Sequence, residues 1–144
     1  DDRIVLLATT NLFEYFDKAL IRRFDSVIDF SRYTQEDLAE IAEILLNEFL
    51  NKFKCTSRNV RLFRKIVGLM NPIPYPGELK NIIRSYVAFS NPTVELDYLK
   101  RLYKAVCPET LDVRALQSQG FTVREIEILT GVSKSQVARE LKEN

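Results

Sequence analysis

Three polar side chains near the start of the chain have types suited to binding a phosphate group. Asn11 follows the apolar run Ile4–Ala8, and the adjacent cations Arg22 and Arg23 come a short distance further along. A guanidinium offers a planar fork of N–H donors that matches phosphate oxygens. Together these residues could bind a ligand that offers several acceptor oxygens.

The surrounding pattern predicts the elements that would position these residues. The run Ile4–Ala8 and the segment Val27–Phe30 are typical of strands, and a short helix is expected at Lys18–Phe24. Strand, helix and strand would form part of an α/β layer, which binds ligands at the carboxyl ends of its strands. Asn11 would lie at such an end. The alternative is that Asn11 is a turn residue and the arginines are a solvated face.

The segments VLLATTN, DKALIRRFD and VIDF resemble the second half of an AAA+ ATPase core. The resemblance implies that Asn11 orients the attacking water near the γ-phosphate. It implies that Arg22 and Arg23 are fingers that reach into the site of a neighbouring subunit. It further implies ATP and Mg²⁺ as cofactors of a longer parent protein, and a homo-oligomer of that parent shaped like a hexameric ring.

Two motifs that such an ATPase needs are missing from the chain. There is no G-x-x-x-x-G-K-[ST] segment, and no apolar run ends in paired acids that could hold Mg²⁺. We therefore expect the chain to be the C-terminal portion of an ATPase whose nucleotide-binding strands lie upstream. By itself it should not hydrolyse ATP.

Four helices are predicted after Phe30, as in the helical lid that follows an AAA+ core. Apolar residues at steps of three and four, bounded by caps, glycine and proline, indicate helices at 34–54, 58–70, 77–89 and 94–106. The first begins with a capping box formed by Thr34 and Asp37. The third, PGELKNIIRSY, is similar to the lid segment that packs by the adenine. This similarity implies that Gly77 and Lys80 face the nucleotide, although exposed charges on an amphipathic helix are the alternative.

A run of cations without any acid covers residues 52–65. Arg58, Arg61 and Lys65 should share one helical face. Such a run could steer nucleic acid or an acidic partner, but we favour a solvated face.

A three-helix pattern is predicted from Leu111 to the end of the chain. Thr122 and Glu125 form a second capping box, Gly131 supplies a tight turn, and Ser133 caps the last helix. Apolar residues on both sides of the turn can form one small core: Ile126, Leu129, Val132, Val137 and Leu141.

This pattern resembles the helix-turn-helix family of DNA-binding modules, whose second helix enters the major groove. The resemblance implies that Lys134, Ser135, Gln136 and Arg139 face DNA, with Gln136 and Arg139 able to read bases. The net charge of this segment argues against DNA binding. Residues 111–144 carry five basic and five acidic side chains, whereas affinity for DNA comes largely from neutralising phosphates. Such modules also dock proteins.

The composition of the chain bears on whether it has a metal site or a membrane segment. The whole chain has 21 basic and 20 acidic residues and no histidine. Its two cysteines, Cys55 and Cys107, match no metal spacing, and no apolar run approaches ~18 residues. We therefore expect a cytoplasmic protein with no metal site and no membrane association.

The predicted fold class is mainly α, with three parts. Residues 1–31 would be a partial α/β remnant of a P-loop AAA+ core, 32–108 a four-helix lid, and 109–144 a three-helix helix-turn-helix module. The predicted function is ATP-dependent work on DNA or on a DNA-bound partner. One alternative is a non-enzymatic DNA-binding regulator. Another is a chaperone-like AAA+ ATPase whose last module docks protein.

Overall fold

A computed structural model describes residues 4–108 and 112–142 and divides the chain into two compact units. The first unit ends at Arg32 and the second begins at Tyr33. The described residues are mainly α-helical, which confirms that part of the predicted fold class. Their helices are α1 (Lys18–Ile21), α2 (Gln35–Lys52), α3 (Val60–Gly68), α4 (Pro76–Ala88), α5 (Asp97–Val106), α6 (Val113–Ser118), α7 (Val123–Thr130) and α8 (Lys134–Lys142).

The first unit has only short helical turns in its described part. A 3₁₀ turn spans Phe13–Tyr15, and α1 begins where the Asp17 carboxylate accepts a hydrogen bond from the backbone N–H of Ala19, at 2.9 Å. Helix α1 ends at Ile21, so it is shorter than the predicted helix, and Arg22 and Arg23 lie in the turn that follows.

Neither predicted strand, Ile4–Ala8 or Val27–Phe30, is formed among the described residues. A strand exists only where its backbone groups pair with those of a neighbour, and no described residue serves as that neighbour. The apolar side chains of both segments are instead exposed, with Ile4 at 89% and Ile28 at 73%. The α/β remnant is therefore not confirmed.

The four helices predicted after Phe30 are confirmed as α2 to α5. Helix α2 begins at the expected capping box: the Thr34 hydroxyl accepts from the Asp37 N–H at 3.1 Å, and the Asp37 carboxylate accepts from the Thr34 N–H at 2.8 Å. It packs against α3 and α4, and α5 packs against the same two helices. The residues that these helices bury fully include Leu46, Leu50, Leu62, Leu79 and Leu99.

Helix α5 begins later than the sequence predicted. The expected start was Val94, but Leu96 has a φ of 56°, in the left-handed region that a right-handed helix cannot include. Leu96 is nevertheless buried, and its N–H donates to the Ser57 hydroxyl at 3.2 Å. Helix α5 therefore starts at Asp97, the residue after Leu96.

Helices α6, α7 and α8 pack on one another, and α7 also packs on α5. The predicted core residues Ile126, Leu129 and Val137 are buried, whereas Leu111 lies outside the described residues. These side chains do not form a separate small core, because they join the buried residues of α2 to α5 in one continuous cluster. The boundaries of 31/32 and 108/109 that the sequence suggested stay predictions.

Lys65 of α3 connects α2–α5 with α6–α8. Its ammonium donates to the Glu125 carboxylate at 2.6 Å and to the Gly120 carbonyl at 2.8 Å, and it lies 5.7 Å from the centroid of the Phe121 ring. Tyr103 of α5 meets the same ring edge-on and donates its hydroxyl to Gln119 at 3.0 Å. We refer to these contacts of Lys65 and Tyr103 as the interhelix junction.

Arg64 and Lys65 depart from the expectation that the cations of residues 52–65 are a solvated face. The other cations of the run are exposed as expected: Lys52, Lys54, Arg58 and Arg61. Lys65 is only 26% exposed at its side chain, and its partner Glu125 only 8%. Arg64 pairs with Glu43 at 2.6 Å and with Glu36 at 3.4 Å. The sequence pattern could not predict these ion pairs, because the acids belong to other helices: Glu36 and Glu43 to α2, and Glu125 to α7.

Burial and hydrogen bonding act in opposite directions on Glu125. Burial alone would raise the pKa of its carboxyl, but the hydrogen bonds donated by Lys65 and by the Thr122 backbone N–H outweigh it, so the pKa lies below its usual value. The ionised carboxylate therefore stabilises the folded chain at pH values above the ordinary glutamate pKa of ~4.3. This contribution is lost as the pH falls through the lowered pKa.

Among the described residues, no helix combines the length and the apolar character needed to cross a membrane.

We predict that Lys65→Met destabilises the chain by about 2 kcal/mol, because it leaves the buried Glu125 carboxylate without its cation. Glu125→Gln should cost less, since it keeps an acceptor for the Thr122 N–H, and it should flatten the fall in stability below pH ~4.3. Urea unfolding followed by circular dichroism over a pH series measures both effects.

The matched control is Arg101→Met, which breaks an ion pair of the same 2.6 Å length whose arginine is 47% exposed. It should cost less than about 1 kcal/mol, because solvent screens the half-exposed arginine. The Asp97 carboxylate, which is 15% exposed, also keeps its hydrogen bond from the Asn91 N–H. Equal losses of stability for Lys65→Met and Arg101→Met would contradict the importance given to the interhelix junction.

Candidate nucleic-acid interface

The turn between α7 and α8 is built by local hydrogen bonds that the sequence specifies. The Thr130 hydroxyl donates to the Ile126 carbonyl at 2.7 Å and accepts from the Val132 N–H at 3.1 Å. Gly131 has a φ of 77°, and its N–H donates to the Glu127 carbonyl at 2.8 Å. A residue with a Cβ is strained at this φ, so glycine is suited to ending α7 and reversing the chain.

Helix α8 has one inward and one outward face. Its first turn is held by Ser133, whose hydroxyl accepts from the Gln136 N–H at 3.4 Å. Val137 is fully buried and fixes the rotation of the helix about its axis. The four residues assigned to DNA in the sequence all lie on the exposed side: Lys134, Ser135, Gln136 and Arg139.

These four side chains can supply the two kinds of contact that duplex DNA requires. Lysine and serine donate to phosphate oxygens, while glutamine and arginine can each make two hydrogen bonds to a base edge. Their present partners are weak or exposed. The Gln136 amide donates to Glu140 at 3.3 Å, and the Lys134 ammonium lies 4.0 Å from Glu127. Exposed pairs of this kind stabilise little and can be exchanged for a ligand.

A groove of about 350 Å³ lies beside the start of α8, between α5 and α7. It is lined by Glu95, Leu96, Lys100, Arg124, Glu127, Ile128 and Lys134. We call it the three-cation groove. Lys100 and Arg124 form no ion pair within residues 4–108 and 112–142.

Lys100 and Arg124 were not among the residues singled out from the sequence. The exposure of Arg124 could have been predicted from the sequence. It lies in the first turn of α7, two positions after the N-cap Thr122, and the apolar positions of that helix are Ile126 and Leu129. The place of Lys100 in the groove could not have been predicted. Its approach to α7 depends on how α5 packs, and no local pattern encodes that packing.

The residues predicted to handle nucleotide are exposed. In the first unit, Asn11 lies in a bend, and Arg22 and Arg23 lie in the turn after α1. In the second unit, Gly77 and Lys80 lie in the first turns of α4. A Cβ added at Gly77 would meet nothing within 4 Å, so no close neighbour requires a glycine there. The roles assigned to these five residues stay predictions.

The ATPase resemblance implies Mg²⁺, which one or two carboxylates usually hold beside the substrate phosphates. No group of three or more Cys, Asp or Glu side chains in the described ranges could hold a metal ion.

No family model matches the chain, and no curated protein or solved structure matches it either.

We predict opposite effects of alanine at two glycines. Gly131→Ala forces a Cβ into the left-handed region and should destabilise the chain by about 1–2 kcal/mol. Gly68→Ala, at the exposed last residue of α3, should stabilise it by up to about 1 kcal/mol because alanine favours helix. Thermal or urea unfolding measures both variants.

The conservative variant Gly131→Asn separates backbone strain from other causes, since asparagine tolerates positive φ better than alanine does. Its destabilisation should be smaller than that of Gly131→Ala. A destabilisation as large for asparagine as for alanine would show that something other than φ restricts this position.

Proposed function

We propose that α8 is a recognition helix that binds duplex DNA in the major groove. In this proposal the chain also carries the sensor, arginine-finger and lid elements of an AAA+ ATPase. The observation that carries the DNA-binding part is the division of α8 into a buried Val137 and an exposed set of Lys134, Ser135, Gln136 and Arg139.

The balanced charge of residues 111–144 is the main argument against DNA binding, and the arrangement of the acids weakens it. Glu125 is buried against Lys65, so its charge is neutralised inside the protein. Lys100 of α5 adds a cation beside α8 that residues 111–144 do not include, and Glu95 in the same groove adds an acid that offsets it. The surface around the start of α8 is therefore more positive than the local composition indicates. Glu127 and Glu140 still oppose binding there.

This surface supports modest affinity for a single chain. A small set of phosphate and base contacts corresponds to the range of non-specific binding, with Kd of about 10⁻⁴ to 10⁻⁶ M at physiological salt. A homo-oligomer, hexamer-like in the proposed ATPase, would raise the effective affinity by presenting several copies of α8 at once.

The ATPase part rests on the sequence resemblance of residues 4–30 and on exposure. An arginine that completes the site of a neighbouring subunit must be accessible, and Arg22 and Arg23 are. Asn11 would act within its own subunit, while Gly77 and Lys80 would face ATP from the lid. ATP and Mg²⁺ would be held mainly by parts of the parent protein that this sequence does not include.

We predict that the chain binds a labelled random-sequence duplex with an affinity that falls log-linearly with salt concentration. Lys134→Ala and Arg139→Ala together should weaken binding at least about tenfold at low salt. They should also reduce the salt slope by about 0.9 for each phosphate that the protein no longer neutralises. Fluorescence anisotropy over a sodium chloride series measures both quantities.

The control for this experiment is Lys104→Ala. It removes one exposed cation of α5 that lines a different groove. It should leave the salt slope nearly unchanged. Absence of binding by the unaltered chain at low salt would overturn the DNA-binding proposal and would favour protein docking by α6–α8.

For the ATPase part, we predict that Arg22→Ala and Arg23→Ala in the full natural protein lower kcat by at least about 10³-fold, as expected for fingers that stabilise the transferring phosphate. ATP affinity should change little. Steady-state ATP hydrolysis and nucleotide binding are measured side by side, with Arg32→Ala as the control for an exposed arginine. Unchanged kcat in both finger variants would rule out this role.

A further inference from the structure

We propose that the three-cation groove holds one phosphate of the DNA backbone while α8 lies in the major groove. This inference rests on the proposed function and extends it. It makes Lys100, which belongs to the predicted lid, a DNA-binding residue together with Arg124 of α7.

The three cations of the groove come from three separate helices. Lys100 belongs to α5, Arg124 to the first turn of α7, and Lys134 is the first residue of α8. These cations converge on one groove only because the helices pack as they do. Phosphate binding favours such convergence, since one anion can then accept hydrogen bonds from several directions.

The ion pairing in the groove favours an external anion. Lys100 and Arg124 form no ion pair with any described residue, and the Lys134 ammonium is 4.0 Å from Glu127, at the limit of such a pair. Glu127 already accepts a hydrogen bond from the Lys134 backbone N–H, at 3.3 Å. Asp97 is close enough for Lys100 to act on it electrostatically, but its ion pair is with Arg101 and not with Lys100. Two cations of the groove are thus available to a ligand.

The acids of the groove limit what it can hold. Glu95 and Glu127 line the groove together with the three cations, so the net charge of the lining side chains is +1 (three cations less two acids). This balance suits a single phosphodiester, which carries one negative charge, better than a multiply charged anion. The guanidinium of Arg124 can bind its two free oxygens with a planar fork of donors.

The groove lies next to the N-terminus of α8. Lys134 both lines the groove and begins the helix that carries Gln136 and Arg139. A strand whose bases meet Gln136 and Arg139 would place a nearby phosphate within reach of Lys134. Lys100 and Arg124 would then bind that phosphate from the opposite side, so α5 and α7 would fix the register of α8 on the duplex.

The test compares Lys100→Ala and Arg124→Ala with the unaltered chain in duplex binding across a sodium chloride series. Each variant should weaken binding about three- to tenfold at low salt and lower the salt slope by up to about 0.9, the value for one phosphate. The double variant should lower the slope no further than either single variant, because both side chains bind the same phosphate. Circular dichroism checks that each variant folds.

Lys104→Ala is the matched control, because it removes the same charge one turn further along α5, outside the groove. Parallel behaviour of Lys100→Ala, Arg124→Ala and Lys104→Ala would overturn this inference. If Lys134→Ala with Arg139→Ala still abolished binding in that case, the proposed function would stand without it. Failure of the unaltered chain to bind duplex would overturn both.

Discussion

The ammonium of Lys65 is the group on which the arrangement of the second unit most depends. It satisfies a carboxylate that is 8% exposed, accepts partial desolvation itself, and bonds the Gly120 carbonyl at the turn before α7. Removing both charges from water is costly, and only close geometry with several hydrogen bonds offsets that cost. The same Glu125 carboxylate accepts the Thr122 N–H and so starts α7. Glu125 therefore takes part both in the capping box that begins α7 and in the ion pair that joins α7 to α3.

This constraint has consequences for the surface that α8 presents. Helix α7 packs on α5 and is joined to α3 by the Lys65–Glu125 ion pair. The turn at Gly131 and the burial of Val137 then leave α8 a single rotation about its axis. The continuous core from α2 to α8 makes α8 part of the same packed body as α5. In the proposed ATPase, a rearrangement of the lid helices would then move α8 with them. A flexible tether between lid and DNA-binding module would transmit no such motion.

The sequence predicted local features of the fold well because their causes are local. Both capping boxes, the cap at Ser133 and the glycine turn at Gly131 depend on residues within four positions of one another. Helical periodicity likewise identified buried residues in every helix from α2 to α5. The pairing of Lys65 with Glu125 joins residues sixty positions apart, and Lys100 reaches its groove only through tertiary packing. Neither could be predicted from spacing. Of the candidate site, the outward face of α8 follows from the pattern around Val137, whereas the groove beside it does not.

The first unit shows what a strand pattern does not determine. Ile4–Ala8 and Val27–Phe30 have strand composition, but β-propensity mainly describes fitness for a half-buried pleated surface. The described residues provide no such surface, and these apolar side chains are exposed. Contiguous exposed apolar surface of this kind is typical of a site that another part of a chain or a partner covers. In the AAA+ interpretation the cover would be the remaining strands of one sheet, with Asn11 at their carboxyl ends.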